Sequence, residues 1–156
     1  MYYIKKKKKP LFDKTEPKQR KKSRQTLINK LDRLFSLYIR LRDSKRYSYK
    51  YFRCISCGKI QEFSKADAGH YMSRKHMSTR FDEMNVHCEC RACNRFSADH
   101  IVAYRRNLVA LYGEAKVQWI EAKAKQSCKI TDFELEQLIV YYDALVKRMK
   151  AERDGN

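Results

Sequence analysis

Four cysteines stand in two pairs of the kind that bind a metal ion. The first pair is Cys54 and Cys57, the second is Cys90 and Cys93, and 32 residues lie between the pairs. A two-residue gap lets both thiolates of a pair point at one ion, and two pairs complete a tetrahedral shell of four thiolates. Gly58 follows the first pair directly, where a tight turn needs a residue that tolerates positive φ. The spacing therefore predicts a structural Zn2+ site whose binding free energy stabilises the fold.

Two other interpretations of the cysteines are weaker. The pairs could be buried thiols by coincidence, or one pair could be a redox C-x-x-C motif, which would leave the second pair unexplained. Cys88 lies two residues before Cys90, where it either competes as a ligand or packs as a small apolar side chain. Cys128 belongs to neither pair, and the sequence assigns it no role.

A second group of polar residues lies inside and just after the loop that the cysteine pairs close. Its three segments are residues 67–71 (Asp-Ala-Gly-His-Tyr), 80–87 (Arg-Phe-Asp-Glu-Met-Asn-Val-His) and 90–95 (Cys-Arg-Ala-Cys-Asn-Arg). These segments resemble the HNH endonucleases. In that family a His ends the first strand of a hairpin, an Asn stands five residues before the second C-x-x-C, and a His or Asn follows its last Cys. His70, Asn85 and Asn94 occupy those three positions. A lone histidine in a zinc loop is usually structural, but the three residues together favour catalysis.

More narrowly, residues 68–71, 80–87 and 90–95 resemble the phage NinG family, also called Rap, whose members are recombination endonucleases acting on branched DNA. The resemblance covers about residues 50–112. It implies a metal-dependent, structure-selective DNA endonuclease that cuts branched intermediates in phage recombination. It also implies a treble-clef, ββα-metal core, so the expected fold class is α+β.

The chemistry of phosphodiester hydrolysis gives each of these residues a role. The reaction needs an activated water, a cation on the scissile phosphate and relief of charge on the departing 3′ oxygen. His70 suits the general base, because a neutral imidazole can take a proton near physiological pH. Asn85 would orient the His70 ring or clamp the hairpin. Asn94 would give an oxygen ligand to a hard cation, Mg2+ or another divalent ion, which takes few protein ligands and keeps its waters.

The residue directly before the proposed base departs from the family pattern. Many HNH enzymes place an Asp or a His there as a metal ligand, whereas this chain has Gly69. Asp67 or His87 could take over that role because both are close in sequence, and the sequence leaves open which of them does. His76 and His100 have no position in the motif, and we expect both to be exposed to solvent.

The net charge of +18, with a pI near 9.8, favours a polyanionic partner. Neutralising phosphates releases condensed counterions, so we expect DNA or RNA to be that partner. An anionic membrane surface is disfavoured, since no segment has the Trp- or Leu-rich face of an interfacial helix. Cations around the proposed site should hold flanking phosphates, although any single one could simply be a solvated surface charge. These cations are Arg74, Lys75, Arg80, Arg91 and Arg95.

Residues 1–24 carry half of the net charge, with eleven Lys and Arg against two acidic residues. Both prolines of the chain lie in this segment, and its unbroken basic run consists of Lys5, Lys6, Lys7, Lys8 and Lys9. Such blocks of like charge are usually disordered and act as arms that follow nucleic acid, though a merely solubilising tail has the same composition. We therefore predict a basic, disordered DNA-binding arm over residues 1–24.

Helices and short strands must position these residues. Apolar residues recur at three- and four-residue steps over about residues 25–43, which predicts a helix with one core-facing side. Aromatic residues alternate with polar ones over residues 47–52, which predicts a short strand before the first cysteine pair. A helix is predicted over about residues 101–125 with an interruption near Gly113. Another begins near Thr131, which forms a capping box with Glu134. We expect one helix before the zinc core and about two after it.

These patterns divide the chain into three parts: the arm (1–24), a helix with the zinc-stapled HNH-like core (25–112), and a C-terminal helical extension (113–156). The C-terminal helices should serve as scaffold or as a homodimer contact. No apolar run is long enough for a membrane span, and no apolar signal segment follows the N-terminal lysines. We expect no membrane partner and a cytoplasmic location, which is the host cytoplasm if a phage encodes the chain.

Two other functions compete with the nuclease. A non-catalytic zinc module that binds DNA or RNA as a recombination mediator would account for the arm and the cysteines, but it gives His70 no use. A ribosome- or RNA-associated zinc protein would fit the charge, but not the joint occurrence of His70, Asn85 and Asn94. Incubating the protein with labelled branched and linear DNA, with Mg2+ and with EDTA, separates these functions.

Removing residues 1–24 tests the arm. We expect weaker DNA binding and a shallower dependence of the binding constant on salt, because each lost phosphate contact removes roughly one unit of the log–log slope. The slope is measured by titrating labelled DNA with full-length and truncated protein at several salt concentrations. An unchanged slope would mean that the arm does not touch the phosphate backbone.

Overall fold

The computed structural model of the chain describes residues 23–97 and 99–155. The predicted arm, with its basic run at residues 5–9, lies outside these residues except for its last two, Ser23 and Arg24. The described residues form the mixed α+β fold that the sequence predicts, with six α-helices and two small antiparallel sheets of two strands each. None of these helices combines the length and the apolar character needed to cross a membrane.

The helices and strands are short except for the first and the last helix. In chain order they are α1 (Arg24–Ser44), β1 (Tyr51–Arg53), β2 (Ile60–Glu62), β3 (Ala66–His70), α2 (Met77–Arg80), β4 (Val86–Cys90), α3 (Arg91–Phe96), α4 (His100–Tyr112), α5 (Glu114–Ala124) and α6 (Asp132–Asp154). Strand β1 pairs with β2, and β3 pairs with β4. The helix predicted over residues 25–43 is α1, and the predicted capping box is present at the start of α6.

Helix α1 begins where the sequence offers a cap. The Ser23 hydroxyl accepts a hydrogen bond from Thr26 N at 3.3 Å, which satisfies one of the free amides of the first turn. Arg24, the first helical residue, forms a salt bridge of 3.0 Å with Asp132 at the start of α6. A truncation that tests the arm should therefore end at residue 22, because removing Ser23 and Arg24 would also disturb α1.

The main core lies between α1 and α6. Phe35 of α1 is almost fully buried, and its ring centre lies 5.0 Å from that of Tyr142. The two helices run in the same direction, since one salt bridge joins their first residues and Lys45 pairs with Glu152 near their last. The segment predicted as a C-terminal extension thus completes the core of the N-terminal helix. The buried side chains are Leu27, Ile28, Leu31, Phe35, Tyr38, Ile39 and Leu41 of α1 and Leu135, Ile139, Tyr142, Val146 and Met149 of α6.

Two local predictions differ from the structure. The interruption at Gly113, which has a φ of 86°, separates two helices, so that three helices follow α3 and not two. The strand predicted over residues 47–52 begins only at Tyr51. Ser48 and Tyr49 adopt left-handed φ values of 52° and 59° and form a turn after α1. Burial of the Tyr49 ring explains why an aromatic residue occupies this turn.

The β3–β4 hairpin lies between α1 and α4 and carries the candidate residues. Ala68 and Val86 pack into the main core with α1. On the other side, Tyr104 of α4 donates a hydrogen bond to Gly69 O at 2.9 Å. Side chains of successive strand residues point to opposite faces, so the register decides what each face presents. The cross-strand pairs that matter for the site are Asp67 with Glu89, Gly69 with His87, and His70 with Val86.

Candidate functional site

The four predicted cysteines meet at one point. Their sulfur atoms all lie within 4.8 Å of one another, and the Sγ atoms of Cys57 and Cys90 are 3.9 Å apart. Gly58 has a φ of 74°, as expected for the turn after the first pair, and its amide donates to Cys54 O at 2.9 Å. Cys90 N donates to Cys54 Sγ at 3.3 Å. The four sulfurs could hold a metal ion such as zinc.

The two remaining cysteines lie apart from this group. Cys88 is buried against α1, where its Sγ lies 3.8 Å from Arg40 O. It therefore packs as a small side chain, which was one of the two roles that the sequence left open. Cys128 is exposed in the turn between α5 and α6.

His70 ends β3 and lines an open cleft of about 800 Å³. Its Nε2 lies 3.0 Å from the carbonyl oxygen of Arg80. Because a carbonyl oxygen can only accept a hydrogen bond, Nε2 carries the proton and Nδ1 keeps a lone pair. Arg74 Nε lies 3.5 Å from Nδ1, at the limit of a hydrogen bond. The imidazole is thus held in a tautomer that can accept a proton at Nδ1.

Two effects keep His70 neutral at physiological pH. Burial lowers the pKa of the imidazole, and the positive charge of Arg74 lowers it further, to about 4. Protonating Nδ1 would place a second positive charge beside the Arg74 guanidinium. The lone pair is therefore available at any pH well above 4.

Asn85 holds the segment that leads to Arg80, whose carbonyl oxygen accepts the hydrogen bond from His70. Its side chain is fully buried, and its Oδ1 accepts from Met72 N at 2.7 Å. Its Nδ2 donates to Met72 O and to Thr79 O, both at 3.0 Å. These bonds hold both ends of residues 72–79, directly before Arg80. Asn85 thus positions the carbonyl that binds the His70 ring, and its bonds go to the backbone instead of the ring itself.

Asp67 of β3 and Asn94 of α3 lie side by side at the same cleft as His70. Asn94 Nδ2 donates to Asp67 Oδ2 at 3.1 Å, and Arg95 binds both carboxylate oxygens at 2.9 and 3.2 Å. Burial opposes ionisation of Asp67, but the bonds from Arg95 and Asn94 outweigh it and keep the pKa of the carboxyl below its usual value. The fold therefore brings together three of the residues that the sequence proposed for catalysis and metal binding.

His87 lies opposite Gly69 in the hairpin, but it is not among the residues that line the cleft of His70. It is buried, and its Nε2 lies 2.8 Å from the hydroxyl of Tyr112. Burial lowers the pKa of the imidazole to about 4. The residue lines a second cavity, beneath α4, and not the cleft of His70. Of the two residues predicted to replace a ligand at Gly69, the structure therefore brings Asp67 to the cleft and places His87 away from it.

The cations predicted to hold phosphates differ in how exposed they are and in whether an acidic residue already pairs with them. Arg80 pairs with Asp32 through two hydrogen bonds of 3.0 and 2.5 Å, and 19% of its side chain is exposed. It joins α2 to α1, so we leave it out of the proposed phosphate contacts. Arg40 of α1, which sequence patterns did not single out, lines the cleft. The predicted contacts that are exposed are Arg74, Lys75, Arg91 and Arg95.

The sequence patterns did not single out His100, which lines the cleft, or Glu89, which contacts His100. Glu89 is fully buried, and its Oε1 lies 2.8 Å from His100 Nδ1. The prediction that His100 is exposed is wrong, because its side chain is 18% exposed and its ring lines the cleft. His76 is also partly buried. The one sequence signal for Glu89 was its position directly before one of the paired cysteines. It lies on β4, a strand with no exposed residue.

A family model described as "Bacteriophage Lambda NinG protein" matches residues 3–152 of the chain. The chain belongs to the NinG family. The resemblance to the NinG family is thereby confirmed. The match also reaches beyond residues 50–112, where the resemblance was seen, and includes most of the arm and of α6.

Curated relatives of this NinG-family chain come from several phages. It is similar to Protein ninG of Salmonella phage P22, with 32% identity over 123 residues, which cover 74% of this chain and 57% of the relative. Protein ninG of Escherichia phage lambda is 30% identical over 123 residues, with the same two coverages, 74% and 57%. Protein ninG of Escherichia phage 933W is 33% identical over 102 residues, covering 65% of this chain and 47% of the relative. The chain thus spans about half the length of these relatives. No solved structure matches it.

Loss of one cysteine should remove the metal site. We expect about one tightly held zinc per chain in purified protein, and Cys93→Ser should lose it and unfold the hairpin, because metal binding contributes free energy to folding. Cys128→Ser is the matched control, since this exposed thiol lies outside the group. Zinc is measured by elemental analysis and folding by circular dichroism. Folded wild-type protein without zinc would contradict the prediction.

Proposed function

We propose that this NinG-family chain is a metal-dependent DNA endonuclease of the HNH type that cuts branched recombination intermediates in the cytoplasm of the host cell. The observation that carries the proposal is the state of His70. Its buried, neutral imidazole is bonded at Nε2 and keeps a lone pair at Nδ1 beside a cleft with several cations. A non-catalytic zinc module would bind DNA through the same cations but would have no use for that lone pair.

His70 acts on the attacking water. The water oxygen forms a bond to phosphorus as one of its protons moves to His70 Nδ1 and the bond between phosphorus and the 3′ oxygen breaks. Arg80 O supports this transfer, because it accepts from Nε2 and favours the imidazolium that forms. Asn85 maintains the geometry by holding the segment before Arg80.

Asp67 and Asn94 fit a hard divalent cation such as Mg2+. Both offer oxygen atoms, Asp67 stays ionised, and Asn94 uses its Nδ2 for Asp67 and so keeps Oδ1 for a cation. Arg95 neutralises Asp67, but 55% of its side chain is exposed, which lets it move to a phosphate when a cation takes its place. A divalent cation held there would stabilise the charge on the phosphate and on the departing 3′ oxygen.

The DNA backbone would pass along the cleft between α1 and α3. Arg40 lies on the α1 side, Arg95 lies on α3, and Arg74 lies beside the base. Contacts of this kind fix the register of the backbone without selecting a base sequence. The preference for branched DNA and the role in phage recombination rest on the family resemblance. Because the chain spans only about half the length of these relatives, the activity of a whole relative is part of the proposal.

Substitution of His70 separates the nuclease from a non-catalytic zinc module. His70→Ala should keep zinc and bind DNA, yet cleave labelled branched DNA in Mg2+ more slowly by about a hundredfold or more, because the general base is lost. His76→Ala, in the same connection between β3 and β4, is the matched control and should cleave normally. Asn94→Ala and Asp67→Ala should raise the Mg2+ requirement, whereas His87→Ala should not. Equal cleavage by wild type and His70→Ala would refute the HNH assignment.

The pH profile tests the state of the base. For kcat/KM, which reports the free enzyme, the unprotonated fraction of His70 stays nearly constant from about pH 7.5 to about pH 5.5, since its pKa is about 4. An ordinary histidine would lose about tenfold over that range. Arg74→Gln removes one cause of the low pKa and should move the fall in rate to higher pH. A wild-type profile with an inflection near pH 6.5 would show that the imidazole is not perturbed.

A further inference from the structure

Glu89 is a fully buried carboxylate with one oxygen that has no hydrogen-bond partner. Its Oε1 accepts from Ser56 Oγ at 2.5 Å and lies 2.8 Å from His100 Nδ1. Its Oε2, equally shielded from solvent, has no partner among the described residues. Burying an ionised oxygen without a partner is strongly unfavourable, so Oε2 must bind a proton or a cation.

The contacts of Oε1 favour the cation. A carboxylate oxygen can only accept from Ser56 Oγ, and an accepting Oε1 requires that His100 Nδ1 carry the hydrogen of its ring. A proton on Oε2 would find no acceptor among the described residues, whereas a cation could bind there directly. With Oε1 fully used, Oε2 is the oxygen that is left to bind a positive charge.

The position of Oε2 explains the glycine before His70. A Cβ atom added at Gly69 would collide with Glu89 Oε2 and would lie 2.8 Å from Glu89 Cβ. The Glu89 carboxylate, which arrives from β4, therefore fills the space of a side chain at position 69. That is the position at which HNH enzymes carry an Asp or a His as a metal ligand.

The neighbours of Glu89 belong to the proposed cation site. Asp67 lies directly opposite Glu89 in the hairpin, so both carboxylates project from the same face at a typical Cβ separation of about 5 Å. Two carboxylates in this arrangement repel each other, and Arg95 pairs with Asp67 and not with Glu89. His100, which holds Oε1, lines the same cleft as Asp67 and Asn94.

We infer that Glu89 Oε2 is the carboxylate ligand that replaces the side chain missing at Gly69 and that it binds the same divalent cation as Asp67 and Asn94. Ser56 and His100 act as positioning residues, because they hold Oε1 and turn Oε2 toward the site. Ser56 lies between Cys54 and Cys57, so the zinc group helps to place this ligand. This inference rests on the cation site at Asp67 and Asn94 in the proposed function, and a binding measurement tests it apart from cleavage.

Binding of Mn2+ to the zinc-loaded full-length protein tests this ligand without any cleavage assay. Isothermal titration and the electron paramagnetic resonance of free Mn2+ should show about one Mn2+ per wild-type chain. Glu89→Gln keeps the size of the side chain and the acceptor for Ser56 but removes the charge, and should weaken Mn2+ binding by about tenfold or more. Glu136→Gln is the matched control, because this exposed carboxylate lies on α6 and does not line the cleft. It should bind Mn2+ like wild type.

The outcomes separate this inference from the nuclease proposal. Folded, zinc-loaded Glu89→Gln with wild-type Mn2+ affinity would overturn the ligand, even if wild-type protein cuts DNA. Wild-type protein that binds Mn2+ through Glu89 and cuts no DNA would overturn the nuclease and keep the ligand. If Glu89→Gln does not fold, wild-type crystals soaked in MnCl2 decide the question. Anomalous density at Glu89 Oε2 would support the inference, and density at Asp67 and Asn94 without Glu89 would refute it.

Discussion

The pairing of β3 with β4 decides where every candidate residue of this protein lies. In a strand, a shift of one residue exchanges the two faces, so a slip of β3 would turn Ala68 out of the core and Asp67 toward it. The hairpin is held at both ends against such a slip. At one end Cys90 joins β4 to the cysteine pair after β1, and at the other end Tyr71 N donates to Asn85 O at 2.9 Å. The four-cysteine group and Asn85 therefore contribute to the proposed site although neither would touch the scissile phosphate.

The excess of positive charge does not act as one uniform surface. Several arginines are held inside the structure by partners of opposite charge, as Arg80 is by Asp32 and Arg42 is by Asp43. Arg42 also donates to Val86 O at 2.9 Å and so fixes β4 against α1. Breaking a partly buried ion pair of this kind destabilises a fold more than breaking an exposed one, because exposed pairs contribute little to stability. The cations left for the proposed DNA contacts are the exposed ones around the cleft, which include Arg74 and Arg95.

The sequence predicted best what depends on neighbouring residues. The two C-x2-C pairs, the apolar stripe of α1 and the capping box at Thr131 are local patterns, and each appears in the structure. Prediction from the sequence failed for features that depend on contacts between segments far apart in the chain. Glu89 and His87 both lie on β4 near the cysteines, and only the packing of α4 shows that His87 bonds Tyr112 while Glu89 meets His100. A glycine at position 69 looked like a missing ligand in the sequence, whereas the structure shows a carboxylate from the next strand in its place.

The low pKa of His70 makes it a weak base, and the proposed mechanism contains an effect that would raise this pKa. A base with a pKa of about 4 is always unprotonated, but it accepts protons weakly, and general-base catalysis is most efficient when the pKa lies near the working pH. Of the two main causes, burial is fixed by the fold, whereas the charge of Arg74 can be neutralised by a phosphate of bound DNA. DNA binding would then raise the pKa of His70 toward the working pH, while burial keeps it below that of an exposed histidine. Arg74 would thus couple substrate binding to the strength of the base. Its positively charged guanidinium lies beside His70 Nδ1, where a phosphate of bound DNA could neutralise it.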